Sequence, residues 1–223
     1  MNIKAIPQGS YQTNSYVLNQ QGSNDCVIID TGLENDALLA YIEDSGLNPK
    51  ALLLTHGHLD HIYGIPVLRE KYPEMKVYIH EDDSPMLGDA DLNMSSYSGI
   101  YTDFTTGPAD EFIADNQELE ISGICFKFLH IPGHTKGGVA IYLPSENVIF
   151  TGDCLFAGSI GRTDFPGYAE GKCRDQLVNG IKEKILPLNE EIKLMPGHGP
   201  STTIRCEKKH NPYLSGKFDM FSY

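Results

Sequence analysis

Residues 51–64 read ALLLTHGHLDHIYG. A run of apolar residues ends at Thr55 and delivers His56, His58, Asp60 and His61 within six positions. In an extended segment residues two apart point to the same side, so His56, His58 and Asp60 converge, while His61 opens the helical spacing that follows and turns back toward them. A lone histidine is more often a partly buried packing residue than a ligand. Four metal-capable side chains this close together are a different pattern.

The same arrangement, an apolar strand followed by glycine and a ligand-type residue, occurs three more times: FKFLHIPG leads to His134, NVIFTG to Asp153 and IKLMPG to His198. In sheet-based α/β proteins the loops leaving one end of the strands collect the active site, which places the four sets at one edge. Together they hold five histidines and two aspartates. Seven ligands exceed a single tetrahedral zinc and suit two metals, three histidines on one, an aspartate and two histidines on the other, and one carboxylate between them. His80, His130 and His210 lack this arrangement and read as structural.

The rest of the chain bounds the answer. With 223 residues there is enough chain for a substantial core, and one domain over residues 1–223 is expected. A net charge of −13 without any basic run argues against a nucleic-acid backbone as partner, leaving small molecules as the expected substrates. The N-terminus MNIKAIPQGSYQTNSYVL has no continuous apolar core behind a basic start, and no segment approaches a membrane span, so a cytoplasmic protein is expected. Five scattered cysteines, Cys26, Cys125, Cys154, Cys173 and Cys206, form no CxxC and suit reduced, packing thiols.

Short apolar runs at 26–30, 51–55, 76–80, 125–131, 139–143, 147–151 and 192–196 predict strands, and helical spacing predicts helices over 34–45, 61–72 and 173–186. Pro66 and Gly180 fall inside the last two. The order is mixed α/β. Residues 77–126 carry eleven carboxylates and neither Lys nor Arg. The aperiodic middle of that stretch, DADLNMSSYSGIYTDFTTGPAD, reads as a lid or binding loop.

THGHLDH, PGHT (132–135), TGDCLF (151–156) and PGHGP (196–200) resemble, in order and spacing, the motifs of the metallo-β-lactamase superfamily. GSIGRTDFPG (158–167), with PGHGPSTT and HNPYL (210–214), resembles its glyoxalase II branch, in particular short hydroxyacylglutathione-hydrolase-like members without the C-terminal helical domain that contributes to glutathione binding. The resemblance implies a four-layer αββα sandwich of two mixed β-sheets. It implies His56, His58 and His134 on a first metal, Asp60, His61 and His198 on a second, and Asp153 bridging. Zinc is the expected metal, with iron or manganese as alternatives. Where the glyoxalase motif often has a further histidine, this chain has Gly57.

That resemblance implies hydrolysis of a thioester by a metal-bridging hydroxide, with Asp153 holding both metals and Asp60 orienting the nucleophile. The competing readings are a one-iron persulfide dioxygenase, a lactonase and a non-catalytic metal-binding module. Asp153 stands where β-lactamases of the superfamily lack a bridging aspartate, which argues against that activity. Cys154 reads as a packing residue facing away from the metals. Arg162 is expected either to brace its loop through Asp164 or to meet a substrate carboxylate, and Lys136 and Lys172 are further candidate anion contacts. The acidic stretch is expected to set a negative potential over the cleft mouth that disfavours anionic thioesters.

Overall fold

The computed structural model describes residues 1–165 and 172–215. Its first sheet holds β1 (Asn2–Gln8), β2 (Thr13–Asn19), β3 (Asp25–Ile29), β4 (Asn48–Leu53), β5 (Lys76–His80) and β6 (Glu111–Ile113), in that order. β1, β2 and β3 pair antiparallel, and β3 through β6 run parallel. The second sheet contains β7 (Glu118–Ile121), β8 (Ile124–His130), β9 (Val139–Leu143) and β10 (Val148–Gly152). After β10 a small hairpin, β11 (Leu155–Phe156) and β12 (Ser159–Ile160), leaves the sheet, and β13 (Lys193–Pro196) and β14 (Thr202–Thr203) complete it in the order β14-β13-β10-β9-β8-β7.

Alternation along the strands builds the layers. Val27 and Ile29, Ala51 and Leu53 face Phe126, Phe128, Ile141 and Phe150 of the second sheet, forming the core between the two. Their neighbours Ile28, Leu52 and Leu54 point the other way, onto Leu38 and Ile42 of helix α1 (Asp36–Asp44). The second sheet does the same: Leu129, Ala140, Ile149 and Leu194 pack on Leu177 and Ile181 of the C-terminal half of the chain. Both faces of each sheet are therefore buried, which is why the strands read as continuous apolar runs. Two mixed sheets with helices outside are the αββα sandwich that the motifs implied.

Most expected strands occur within a residue or two, and the differences have local causes. The helix expected over 61–72 is two pieces, α2 (Leu59–Ile62) and α3 (Ile65–Lys71), separated at Gly64 with Pro66 in the first turn of α3, where its missing N–H costs nothing. Gly64 packs on Thr31 and Asn35 so closely that any side chain would collide with both. The helix expected over 173–186 is α4 (Cys173–Lys184), and Gly180 lets it approach Ile131, whose Cγ2 would lie 3.0 Å from an added Cβ. A fifth helix, α5 (Ile204–His210), follows β14. No helix of the described residues is long and apolar enough to cross a membrane.

Candidate metal centre

β4, β8, β10 and β13 each end at the same edge, and their following loops carry the seven candidate ligands. His56 Nε2 lies 3.3 Å from His134 Nε2, which lies 3.0 Å from His58 Nδ1. Beside this trio, His198 Nε2 is 3.4 Å from His61 Nε2 and 3.2 Å from Asp60 Oδ2. Asp153 stands between the two sets: its Oδ2 is 3.6 Å from His134 Nε2 and 3.5 Å from His198 Nε2, and its Oδ1 is 3.4 Å from His61 Nε2. Ligand atoms about 2.1 Å from a tetrahedral metal are roughly 3.4 Å from one another, so both sets already have the edge lengths of a coordination shell.

The hydrogen bonds at the far side of each ring fix which nitrogen faces the centre. His134 Nδ1 donates to the Arg162 carbonyl at 2.8 Å and His198 Nδ1 to the Tyr11 carbonyl at 3.0 Å, so both turn Nε2 inward. His61 Nδ1 donates to Asp30 Oδ2 at 2.9 Å. Thr55 Oγ1 gives its own proton to Asp30 Oδ2, at 2.7 Å, and so accepts from His56 Nδ1 at 3.1 Å. Four imidazole nitrogens and two carboxylates thus converge on one space. Asp153 Oδ1 is buried with no hydrogen-bond partner. Such a concentration of acceptors is costly unless cations fill it, and the donor set fits two divalent ions.

Charge tells the same story. Burial, then the neighbouring imidazoles of His61 and His134, hold His56 well below the ordinary histidine range, and burial and His134 bring His58 down to about 3. Burial pushes Asp60 and Asp153 up, but the surrounding imidazoles, His61 first, reverse this and leave both below the usual carboxylate range. Burial also opposes the charged form of His61, yet Asp60, Asp153 and Asp30 raise it well above its ordinary value. The carboxylates of the site thus call for a positive charge, which a metal ion supplies in place of that proton.

Glycines make the close approach possible. A Cβ at Gly197 would collide with Asp153 Oδ1 and come within 2.7 Å of His61 Cε1. At Gly57 it would lie 2.6 Å from Met86 Cβ, which explains why this chain has no side chain there.

Above the ligands opens a cavity of about 600 Å³. Its floor includes His58, Asp60, His134, Asp153 and His198, and its walls come from Tyr11, the loop bearing Met94 and Tyr97, the β11–β12 hairpin and Phe165. Arg162 lines it too, but its Nε and Nη2 hold Asp164 at 2.9 and 3.3 Å and its guanidinium lies 4.7 Å from the Phe165 ring, which in turn packs on His58. This is the bracing arrangement. Lys136 lies elsewhere: it lines a separate depression with Asp82, His130 and Cys173, because the loop after His134 is drawn toward Asp83 by the Gly137 N–H. Lys172 sits at the N-cap of α4, also outside the described lining. None of the eleven carboxylates of residues 77–126 lines the cavity; the stretch contributes Asn93, Met94, Tyr97 and Ser98 to it. Cys154 is buried in the core against α4.

Several residues of the site went unnoticed in the sequence. Asp30, at the end of CVIID, carries the same strand-then-acid signal as Asp153. Thr13 Oγ1 donates to Asp60 Oδ2 at 2.9 Å, Asn14 Nδ2 holds the Pro196 and Gly199 carbonyls at 3.0 Å, and Tyr16 reaches the Pro196 carbonyl at 2.7 Å. These contacts join residues 47 to 185 positions apart, and nothing local announces them. Buried Glu207 accepts from the Gly158 N–H, Thr202 and Asn211, while Asn211 also donates to the Ser159 carbonyl, so HNPYL fastens the hairpin that forms one cavity wall. His80, Asp82 and His130 also gather, their two rings stacked 4.0 Å apart, because β5 and β8 end side by side although they belong to different sheets.

A family model described as the metallo-beta-lactamase superfamily matches residues 9–198. Among curated proteins, the chain is 38% identical to a probable metallo-hydrolase, YqgX, of Bacillus subtilis, over 97% of this chain and 99% of that one. It is 37% identical to hydroxyacylglutathione hydrolase GloC of Haemophilus influenzae, over 97% and 100%. Among solved structures, BLEG-1 B3 metallo-beta-lactamase superposes with a TM-score of 0.89 at 40% identity, covering 96% of this chain and all of that one. TTHA1623 in a di-iron-bound form gives 0.81 at 36%, covering 95% and 100%.

Proposed function

This chain belongs to the metallo-beta-lactamase superfamily, and from that premise we propose that it is a two-metal hydrolase that cleaves thioesters, in the manner of the glyoxalase II branch. The observation that carries the reading is the position of Asp153 between two complete ligand sets, with the cavity open on the same side. His56, His58 and His134 would hold one ion, Asp60, His61 and His198 the other, and Asp153 both. Zinc is the metal proposed; the di-iron form of TTHA1623 makes iron the alternative. Two such ions, when bound, supply a water acidified toward neutrality and a Lewis acid for the scissile carbonyl.

The protein's own groups do the remaining work. Asp60, held by Thr13, would accept a hydrogen bond from the attacking water and so orient it toward the carbonyl carbon. Rings locked by Tyr11, Arg162, Asp30 and Thr55 keep the floor rigid, so little reorganisation accompanies reaction. A thiolate, of conjugate pKa about 8.5, departs without help from a general acid. This suits a cavity whose described lining presents no proton donor of evident acidity beyond the ligands. The similarity to GloC supports a thioester; that to BLEG-1 makes a β-lactam amide the bond to test beside it.

The test is a paired assay on metal-loaded protein: thiol release from S-lactoylglutathione and from simple thioesters, β-lactam ring opening, and oxygen uptake with a glutathione persulfide. Thiol release without oxygen uptake supports the proposal. Oxygen uptake with one iron per chain would instead make the protein a dioxygenase.

A further inference from the structure

The wall of the cavity carries information about the substrate that the ligand set does not. Tyr11, Met94, Tyr97, Phe156, Ile160 and Phe165 surround the space above the metal ligands. Tyr11 and Tyr97 are 51% and 61% exposed, and the same loop continues outward with Leu92 and with Ile100, which is 80% exposed. Large apolar side chains left in water next to a catalytic floor are costly to solvate, and covering them on binding recovers that cost. Arg162, the single Lys or Arg among the described lining residues, already has its guanidinium committed to Asp164 on one side and Phe165 on another. Asp164 neutralises that charge and takes two of its five N–H donors, so the attraction left for a ligand carboxylate is weakened.

We infer that the cavity is an acyl-binding site selecting thioesters with an extended apolar or aromatic acyl group, and that it holds the two carboxylates of a glutathione conjugate poorly. The inference rests on the thioester reading and names its substrate class. The acyl arm lies along Met94, Tyr97 and Ile160, with the carbonyl over Asp60 and Asp153. Each methylene that the wall covers favours binding about fourfold, so discrimination accumulates with chain length until the cavity is full.

The test uses metal-loaded protein and a series of N-acetylcysteamine thioesters, whose thiol arm is small and uncharged: acetyl, butyryl, hexanoyl and phenylacetyl, beside S-lactoylglutathione. Expected is a rise in kcat/KM of at least tenfold from acetyl to hexanoyl, phenylacetyl at least equal to hexanoyl, and lactoylglutathione below butyryl. Replacing Tyr97→Ser and Met94→Ser should reduce the hexanoyl-to-acetyl ratio at least threefold. A flat series, or lactoylglutathione as the best substrate, overturns the inference while leaving thioester hydrolysis standing. Thioether analogues that cannot be cleaved separate the two claims: if no thioester turns over, calorimetric affinities of the acetyl-length and hexanoyl-length thioethers decide, a rise with length supporting the acyl site and equal affinities overturning it.

Discussion

Replacing Asp30→Asn should weaken both metal positions at once, although Asp30 touches neither metal. Its Oδ2 accepts from His61 Nδ1 at 2.9 Å and from Thr55 Oγ1 at 2.7 Å, while its Oδ1 accepts from the Thr55 N–H at 2.8 Å. An asparagine keeps the last contact with its carbonyl oxygen, which puts the NH₂ where Oδ2 was. That group can only donate. It turns His61 Nδ1 into an acceptor and drives the ring proton to Nε2, into the metal position; it also reverses the Thr55 hydroxyl, which then donates to His56 Nδ1 and inverts that ring as well. Partners of this kind typically contribute 10–100-fold to metal affinity, about 1.4–2.7 kcal/mol per ion. His56 serves the first set and His61 the second, so both constants should fall, whereas Thr55→Val should weaken mainly the first. Competition titration with a chromophoric chelator measures the two constants. Two wild-type affinities in Asp30→Asn would refute the tautomer argument.

Gly197→Ala should abolish metal binding and activity together, because its Cβ would collide with Asp153 and crowd His61 to 2.7 Å; elemental analysis reads this directly. Asn211→Ala removes donors to Ser159 and Glu207. It should lower stability by about 1–3 kcal/mol, a fall in Tm of roughly 2–12 °C by calorimetry, and raise KM with two metals retained. Asp83, buried and holding the Gly57 and Gly137 N–H groups, has its carboxyl pushed up to about 6, mainly by burial. Between pH 4 and 6 the folded chain keeps a proton that the unfolded chain has lost, so this group's contribution to stability is lost as pH rises through that window. Asp83→Asn should remove that slope in urea titrations of the apo protein. Since the described cavity lining has no carboxylate besides the ligands, kcat/KM for an anionic thioester should change by less than about twofold up to 1 M salt, where the Debye length is about 3 Å.

What was legible in the sequence was whatever is written locally. The seven candidate ligands each follow an apolar strand, and strand alternation at 27–29 and 51–54 encodes burial on both faces. The segment 11–16 hid its role because its donors act on Pro196 and Gly199 across the fold, and its polar side chains read as an ordinary turn. The inward face of residues 77–126 was hidden for a related reason. Composition reports how many carboxylates a loop carries but not which side of the loop meets the cavity, and here the inward positions are Asn93, Met94 and Tyr97. Lys136 follows a ligand by two residues yet leaves the site, since a turn anchored on Asp83 intervenes. Short pieces such as β11, β12 and β14, two residues each, fall below any periodic signal.

The central claim is that two metal ions, joined through Asp153, make this chain a thioester hydrolase. The most direct measurement is thiol release from a thioester as zinc is added stepwise to metal-free protein, with bound metal quantified at each step. Activity is expected to rise to a plateau at two ions per chain, and Asp153→Ala to show neither the plateau nor the second ion. Full activity at one ion per chain, or an Asp153→Ala protein that binds two and turns over normally, would contradict it.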